Sequence, residues 1–177
     1  MTTSDFLGRR ILGASALALS LALSLAPPPP AAADEPEDAD WEVCYLDADG
    51  AEVRRHERAE TRARVLGPRD TVMEVGCNEN SENRYLRIVR QGDREPQFAG
   101  ELLEAQIEVF FGGKVIHAEQ LDMQWRDDSH YQARAGARLG NALKDGIRVV
   151  VTDETQQIRL PFTLRGSFVA ISAVPCD

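Results

Sequence analysis

The feature that most constrains the fold is a strict alternation of apolar and polar residues over residues 103–111. Every second residue there is apolar, and glutamate or glutamine fills most positions between. Helical spacing would mix the two sets, whereas a strand separates them onto opposite faces. Gly112 and Gly113 follow directly. They predict a tight hairpin with a returning strand at residues 114–120, followed by another short extended piece at Trp125.

Shorter apolar or alternating stretches predict further strands. They cover residues 41–45, 71–77, 85–89, 147–151 and 158–164. After a turn at 47–50, residues 51–55 are predicted to return as the second strand of a hairpin. The charge-dense residues 56–64 are predicted to form an exposed strand or loop. Pro161 places the last strand at a sheet edge, because proline cannot donate to a strand ladder.

Two stretches have helical character. Residues 135–144 lack β-branched residues, space two leucines four positions apart and precede Gly146, a helix stop. In residues 167–174, apolar residues recur every three positions behind Ser167, which is a predicted N-cap. The side chains of this second helix that we expect to be buried are Phe168, Ile171 and Val174. Short strands, turns and two short helices predict a mainly β protein, either a single antiparallel β-sandwich or a flattened barrel.

The amino-terminal segment is predicted to be an export signal. Arg9 and Arg10 precede an uncharged run at residues 11–26, four prolines stop that run, and three alanines at 31–33 supply a cleavage site. The run is too short for a membrane anchor, which needs roughly 20 strongly apolar residues. We therefore expect cleavage and a periplasmic or secreted protein. The arginine pair leaves open whether export uses the Sec or the twin-arginine route.

Cleavage would divide the chain into three parts. Residues 1–33 are the predicted signal peptide, residues 34–40 an acidic disordered leader and residues 41–177 a single β-sandwich domain. The chain has 20 Lys and Arg against 29 Asp and Glu. Two of the basic and one of the acidic residues fall in the signal peptide, so the mature charge is near 18 − 28 = −10. Such acidity disfavours nucleic acid as a partner and keeps an exported protein soluble.

All three cysteines lie in the predicted mature chain. In an oxidising compartment two of them are expected to pair, which leaves one thiol over. Cys77 ends an alternating strand whose side chains face the core, and Cys176 follows an apolar helix that must fold back onto that core. We therefore predict a Cys77–Cys176 bridge. Cys44 is then a buried small hydrophobe, but pairing of Cys44 with Cys77 stays open at this stage.

The carboxy-terminal part of the chain resembles a known family. Residues 160–176 (LPFTLRGSFVAISAVPC) and 73–80 (MEVGCNEN), with Trp125 and the helix around Leu139 in the same order, resemble VasI-type accessory proteins of type VI secretion. The tail is also similar to that of invasion-associated locus B proteins, which usually carry additional cysteines. The resemblance implies a periplasmic, disulfide-closed β-sandwich without known chemistry and adds nothing on a ligand. We expect an envelope or secretion-system protein as the partner.

The histidines offer one candidate metal site. His130 follows Asp127 and Asp128, and with His117 from the preceding strand these residues would supply two imidazoles and a carboxylate. However, the spacing matches no established ligand motif, and Asp-Asp-Ser is also an ordinary turn. We therefore predict a solvated loop, no bound metal and no cofactor.

Candidates for catalysis are equally sparse. Cys44 lies near His56 in the sequence, but a reactive thiol also needs surroundings that lower its pKa. Carboxylate pairs such as Glu101 with Glu104, or Asp127 with Asp128, arise by chance in so acidic a chain. No Gly-x-Ser-x-Gly nucleophile elbow is present.

Three functional hypotheses follow from these patterns. The favoured one is a non-catalytic accessory or binding module outside the cytoplasm, because no catalytic constellation stands out. The first alternative is a small hydrolase or metal-dependent enzyme, which would require His117, His130 and Asp128 to converge in one pocket. The second alternative is an inhibitor or immunity-type protein that pairs a partner's strand with an exposed sheet edge.

Overall fold

The computed structural model describes residues 39–77, 84–90, 102–126 and 130–176. The predicted signal peptide lies outside the described residues, as do most of the acidic leader and the predicted polar turn after Cys77. Glu101, Asp127 and Asp128 also lie outside them.

Nine antiparallel strands form a single sheet. The strands are β1 (Glu42–Leu46), β2 (Glu60–Leu66), β3 (Thr71–Cys77), β4 (Arg84–Arg90), β5 (Leu102–Phe111), β6 (Lys114–Arg126), β7 (His130–Arg134), β8 (Arg148–Asp153) and β9 (Ile158–Thr163). Their order across the sheet is β1-β2-β3-β4-β7-β6-β5-β8-β9, and β1 does not pair with β9. The mainly β prediction is confirmed, because one curved, unclosed sheet with two short helices fits a sandwich or flattened barrel.

The predicted hairpin joins β5 to β6. Phe111 pairs with Lys114, and Gly112 and Gly113 both have positive φ, at 55° and 77°. Positive φ at both central positions gives the turn a twist that matches the strands, which explains the glycine pair. The second strand was predicted as two short pieces, but β6 is one continuous strand of 13 residues. A register shift opposite Val109 makes Ile116 a bulge residue in that strand.

Two predictions for the amino-terminal half are wrong or incomplete. Residues 51–55 form no strand: only an isolated bridge joins Glu52 to Leu46, and a 3₁₀ turn follows at Arg55–Glu57. The charge-dense stretch was predicted to be exposed, but it contains β2, which lies between β1 and β3. The strand is half buried because Thr61, Ala63 and Val65 face the interior, while its charged side chains form ion pairs on the outer face of the sheet.

The two ends of the sheet approach each other at one end of the molecule. The Trp41 backbone N–H donates to the Arg165 carbonyl at 3.0 Å, and the Trp41 indole donates to the Thr163 carbonyl at 2.7 Å. β9 is an edge strand, as Pro161 predicted. These bonds hold the curved sheet around the core without a ladder between β1 and β9.

Both helices cover the core that the curved sheet leaves open. Helix α1 (Ala137–Asp145) packs against β5 and β6, α2 (Ser167–Ser172) packs against β1 and β2, and the helices contact each other. Ser167 is not an N-cap, since its hydroxyl donates instead to the Leu143 carbonyl at 2.7 Å. Ile171 is fully buried as predicted, but Phe168 is 61% exposed. No helix among the described residues is long and apolar enough to cross a membrane.

Candidate functional site

The two histidines of the hypothetical metal site lie far apart. His130 opens β7 opposite Arg126, whereas His117 stands 126 − 117 = 9 residues earlier on β6, or roughly 30 Å along the strand. The His117 ring contacts Glu119, with Nε2 3.0 Å from Oε2. Within the described ranges, no three His, Cys, Asp or Glu side chains form a group that can hold a metal ion. The structure therefore does not assemble the two-imidazole site.

Cys44 is buried on the outer face of β1, opposite Arg62 of β2. Burial raises the pKa of the Cys44 thiol to about 12, and the Arg64 guanidinium offsets this only in part. The thiol is thus protonated at neutral pH, which is the opposite of what a nucleophile needs. His56 lies in the 3₁₀ turn, 72% exposed, with its ring 3.5 Å from Glu57. The Cys44–His56 hypothesis gains no support from this arrangement.

The described carboxylates near β5 and β8 line a surface groove and do not form a catalytic pair. Glu104, which is exposed, and Glu108, which is half-buried, line this groove on β5, and its volume is about 530 Å³. Asp153 is almost fully buried and accepts hydrogen bonds from the backbone N–H groups of Glu104, at 3.2 Å, and Gln156, at 2.9 Å. Asp153 therefore fixes the turn, while the two glutamates leave this surface acidic.

Cys77 and Cys176 lie at disulfide distance, with their α-carbons 5.5 Å apart. This is the pairing that the sequence predicts, and Cys44 remains a free buried cysteine. Arg84, which pairs with Cys77 across β3 and β4, donates from Nε to Cys176 Sγ at 3.3 Å. Its guanidinium also lies against Gly140 of α1, where a β-carbon would collide with it. The bridge fastens the segment after α2 to the end of β3.

A buried charge network covers the outer face of β2, β3 and β4. Arg62 binds Glu60 through two hydrogen bonds of 2.9 and 2.7 Å and reaches Glu74 at 3.2 Å. The Tyr85 hydroxyl also donates to Glu60, and the Arg87 guanidinium lies 4.1 Å from the Tyr85 ring centroid. Because Arg62 is paired with Glu60 and Glu74, the network makes the charged outer face of β2 compatible with burial.

The pKa values follow from this network. Burial alone would raise the pKa of Glu60, but hydrogen bonds from Arg62 and Tyr85 outweigh it and hold the pKa below its usual value. Burial and the bond to Glu60 raise the pKa of Tyr85, so its phenol stays protonated. The sequence signal for the network was the alternation of Glu60, Arg62 and Arg64, which reads as a solvated charge run without the strand register.

One stretch of β6 lacks a partner on one side. β6 has thirteen residues, and it pairs with the five-residue β7 only from Gln124 to Arg126. In the part of the chain that the structure describes, no strand pairs with residues 114–123 on the side away from β5. At the hairpin end, Phe111, Val115 and Ile116 are 56%, 46% and 46% exposed. An unpaired backbone edge therefore runs up to an apolar tip.

Comparison of the chain with protein-family models, with curated proteins and with solved structures finds no match.

Proposed function

We propose that the protein is an exported, non-catalytic accessory module that binds an extended segment of a partner protein along β6. The observation that carries the proposal is the unpaired edge of residues 114–123 beside the exposed tip of Phe111, Val115 and Ile116. Unpaired N–H and C=O groups on a strand edge are a template for another strand. Main-chain hydrogen bonds then supply affinity, and alternate side chains supply specificity.

The edge also carries features that restrict which strand can pair with it. The bulge at Ile116 interrupts the regular ladder, and His117 and Glu119 place polar groups where β6 would otherwise bury apolar ones. Bulges and inward-pointing charged residues are devices that proteins use against indiscriminate edge pairing. A partner strand must accommodate both, so the edge favours one cognate segment over self-association.

Charge complementarity defines the chemistry of that segment. Asp122 of β6 is exposed beside the edge, and one strand further on Glu104 is exposed and Glu108 half-buried. A strand added to β6 would lie about 4.8 Å from it, within reach of these carboxylates for a long basic side chain. We therefore expect a partner segment with basic residues at alternate positions and an apolar residue that packs at the hairpin tip.

Export and envelope location belong to the same proposal. The signal-like residues 1–33 and the Cys77–Cys176 pair both suit an oxidising compartment. The resemblance of residues 70–177 to VasI-type accessory proteins supports an envelope or secretion-system protein as the partner.

The test compares the exported protein with two lysine variants in affinity capture from a cell-envelope extract. Ile116→Lys places a charge at the bulge beside the edge, and Val169→Lys is the matched control because Val169 is an exposed apolar residue on α2. We expect a protein captured by the wild type and by Val169→Lys but not by Ile116→Lys. Hydrogen exchange of the purified complex should show slowed exchange for amides of residues 117–123. Equal capture by both variants, or unchanged exchange along β6, would refute the proposal.

A further inference from the structure

β6 and β7 separate two residues before β7 ends. The last ladder pair between β6 and β7 on this side joins Gln124 to Gln132, although β7 continues to Arg134 alongside β4. The next position on β6 that would face Arg134 is Asp122, and no pair forms there. The two strands therefore diverge and open a cleft of about 290 Å³ on the outer face. Its lining comprises Arg84, Tyr85, Asp122, Gln124, Arg126, Gln132, Ala133 and Arg134.

The two glutamines at the head of the cleft present donors to it. Arg126 donates to the Gln124 side-chain oxygen at 2.5 Å, and Arg87 donates to the Gln132 side-chain oxygen at 2.6 Å. Because each amide oxygen already accepts a hydrogen bond from a guanidinium, the NH₂ groups of the two glutamines are the groups that can bind a ligand. Neither NH₂ group donates to another described residue.

Two exposed arginines, Arg126 and Arg134, add positive charge to these donors. Arg84 also borders the cleft, but its guanidinium is directed to Cys176 and α1. Among the described residues neither Arg126 nor Arg134 forms an ion pair with a carboxylate, whereas Arg62 and Arg64 each bind two. Asp122 is the one acidic side chain that lines the cleft within the described ranges.

We propose that the β6–β7 cleft binds a phosphate group. Guanidinium groups recognise phosphate through paired hydrogen bonds, and the glutamine NH₂ groups supply further neutral donors. A carboxylate has two oxygens to share among these donors, whereas a tetrahedral phosphate has more oxygens in more directions. The cleft is close to the lower limit of small-molecule pockets, so it also has room for the group that carries the phosphate.

The cleft adjoins the protein-binding edge proposed above and shares Asp122 with it. Its donors Gln124, Arg126, Gln132 and Arg134 lie outside the edge of residues 114–123. Its chemistry fits both a soluble phosphate and a phospholipid headgroup. Because the net charge of the protein repels anions at long range, binding must come from these local donors.

The experiment follows the side-chain NH₂ signals of Gln124 and Gln132 in ¹⁵N-labelled protein during titration with inorganic phosphate. We expect both signals to shift, and Arg134→Ala to weaken binding about tenfold or more, as for loss of a charged hydrogen-bond partner. Arg159→Ala removes an exposed arginine from β9 and is the matched control. Gln124→Glu, at an exposed position, replaces an NH₂ donor with a carboxylate and should abolish binding while leaving the circular dichroism spectrum unchanged.

Vesicles separate the two sources of phosphate. Co-sedimentation with phosphatidylcholine vesicles that contain phosphatidylglycerol, lost in Arg134→Ala and retained in Arg159→Ala, identifies a lipid headgroup. Binding of inorganic phosphate without vesicle binding identifies a soluble phosphate. The proposal is wrong if neither NH₂ signal shifts, or if Arg134→Ala and Arg159→Ala titrate alike.

Discussion

Removal of the Cys77–Cys176 bridge is expected to lower stability mainly through the unfolded state. The bridge joins residues 99 positions apart. In the chain-entropy model, release of a loop of that size costs about 4 to 5 kcal/mol at 25 °C. The native fold has other contacts to hold α2, since Ile171 and Val174 are buried and the Ser167 hydroxyl bonds to α1. The folded state of the variant should therefore persist at this lower stability.

Urea unfolding of a Cys77→Ala, Cys176→Ala double variant measures this loss. With a urea dependence of about 2 kcal/mol per molar, the unfolding midpoint should fall by about 2 M. Cys44→Ala is the control, because it removes the free cysteine and keeps the bridge; its loss should stay near 1 kcal/mol. Addition of a reductant to the wild type should reproduce the double variant and leave that variant itself unchanged.

Two results would refute this reasoning. A loss below about 1 kcal/mol in the double variant would mean that the loop is already restricted in the unfolded chain. Non-reducing peptide mapping gives the second test. A linked peptide that contains Cys44 and Cys77, with Cys176 free to alkylate, would mean that the Cys77–Cys176 pairing is wrong.

Two further predictions concern the outer-face network. Folding lowers the pKa of Glu60, so its carboxylate stabilises the fold at pH values above its unfolded pKa near 4.5. That stabilisation is lost as the pH falls through the lower pKa of the folded state. The difference in free energy of unfolding between wild type and Glu60→Gln, measured with urea, should therefore become smaller between about pH 7 and about pH 3. A difference that stays constant over this range would contradict the prediction. Gly76→Ala should cost about 1 to 3 kcal/mol, because the new β-carbon would overlap the Tyr85 phenol. Gly136→Ala, which meets no neighbouring atom, should cost less, and equal thermal shifts would contradict the steric account.

Where apolar and polar residues alternate cleanly, the sequence predicts the strand to within a residue or two. β3 has the predicted bounds, and β5 begins one residue before the predicted start. The hairpin at Gly112 and Gly113 was predictable because its conformation needs positive φ at both positions. Such local patterns depend on nearest neighbours along the chain, which is why they can be recognised without the fold.

One strand was predicted incompletely and another was missed, for a different reason. Residues 56–64 were predicted as an exposed strand or loop, because the inward residues of β2 (Thr61, Ala63 and Val65) include a polar and a small one among charged outward residues, which gives only a weak apolar face in sequence. In β7 only Tyr131 and Ala133 face inward, which is too short a repeat to recognise. Both strands are internal because their neighbours bury them, and that information lies in the sheet order rather than in the segments themselves.

The early separation of β7 from β6 is the common origin of both surfaces proposed here. The chain leaves the sheet at Ala135, whose N–H still donates to the Arg84 carbonyl, and then enters α1. Burial of Leu139 and Leu143 draws that helix onto the core, so β7 cannot continue along β6. β6 is long because its hairpin with β5 specifies its register, independently of β7. The mismatch leaves an unpaired edge toward the hairpin tip and an open cleft beside Arg134, neither of which is encoded in any single segment.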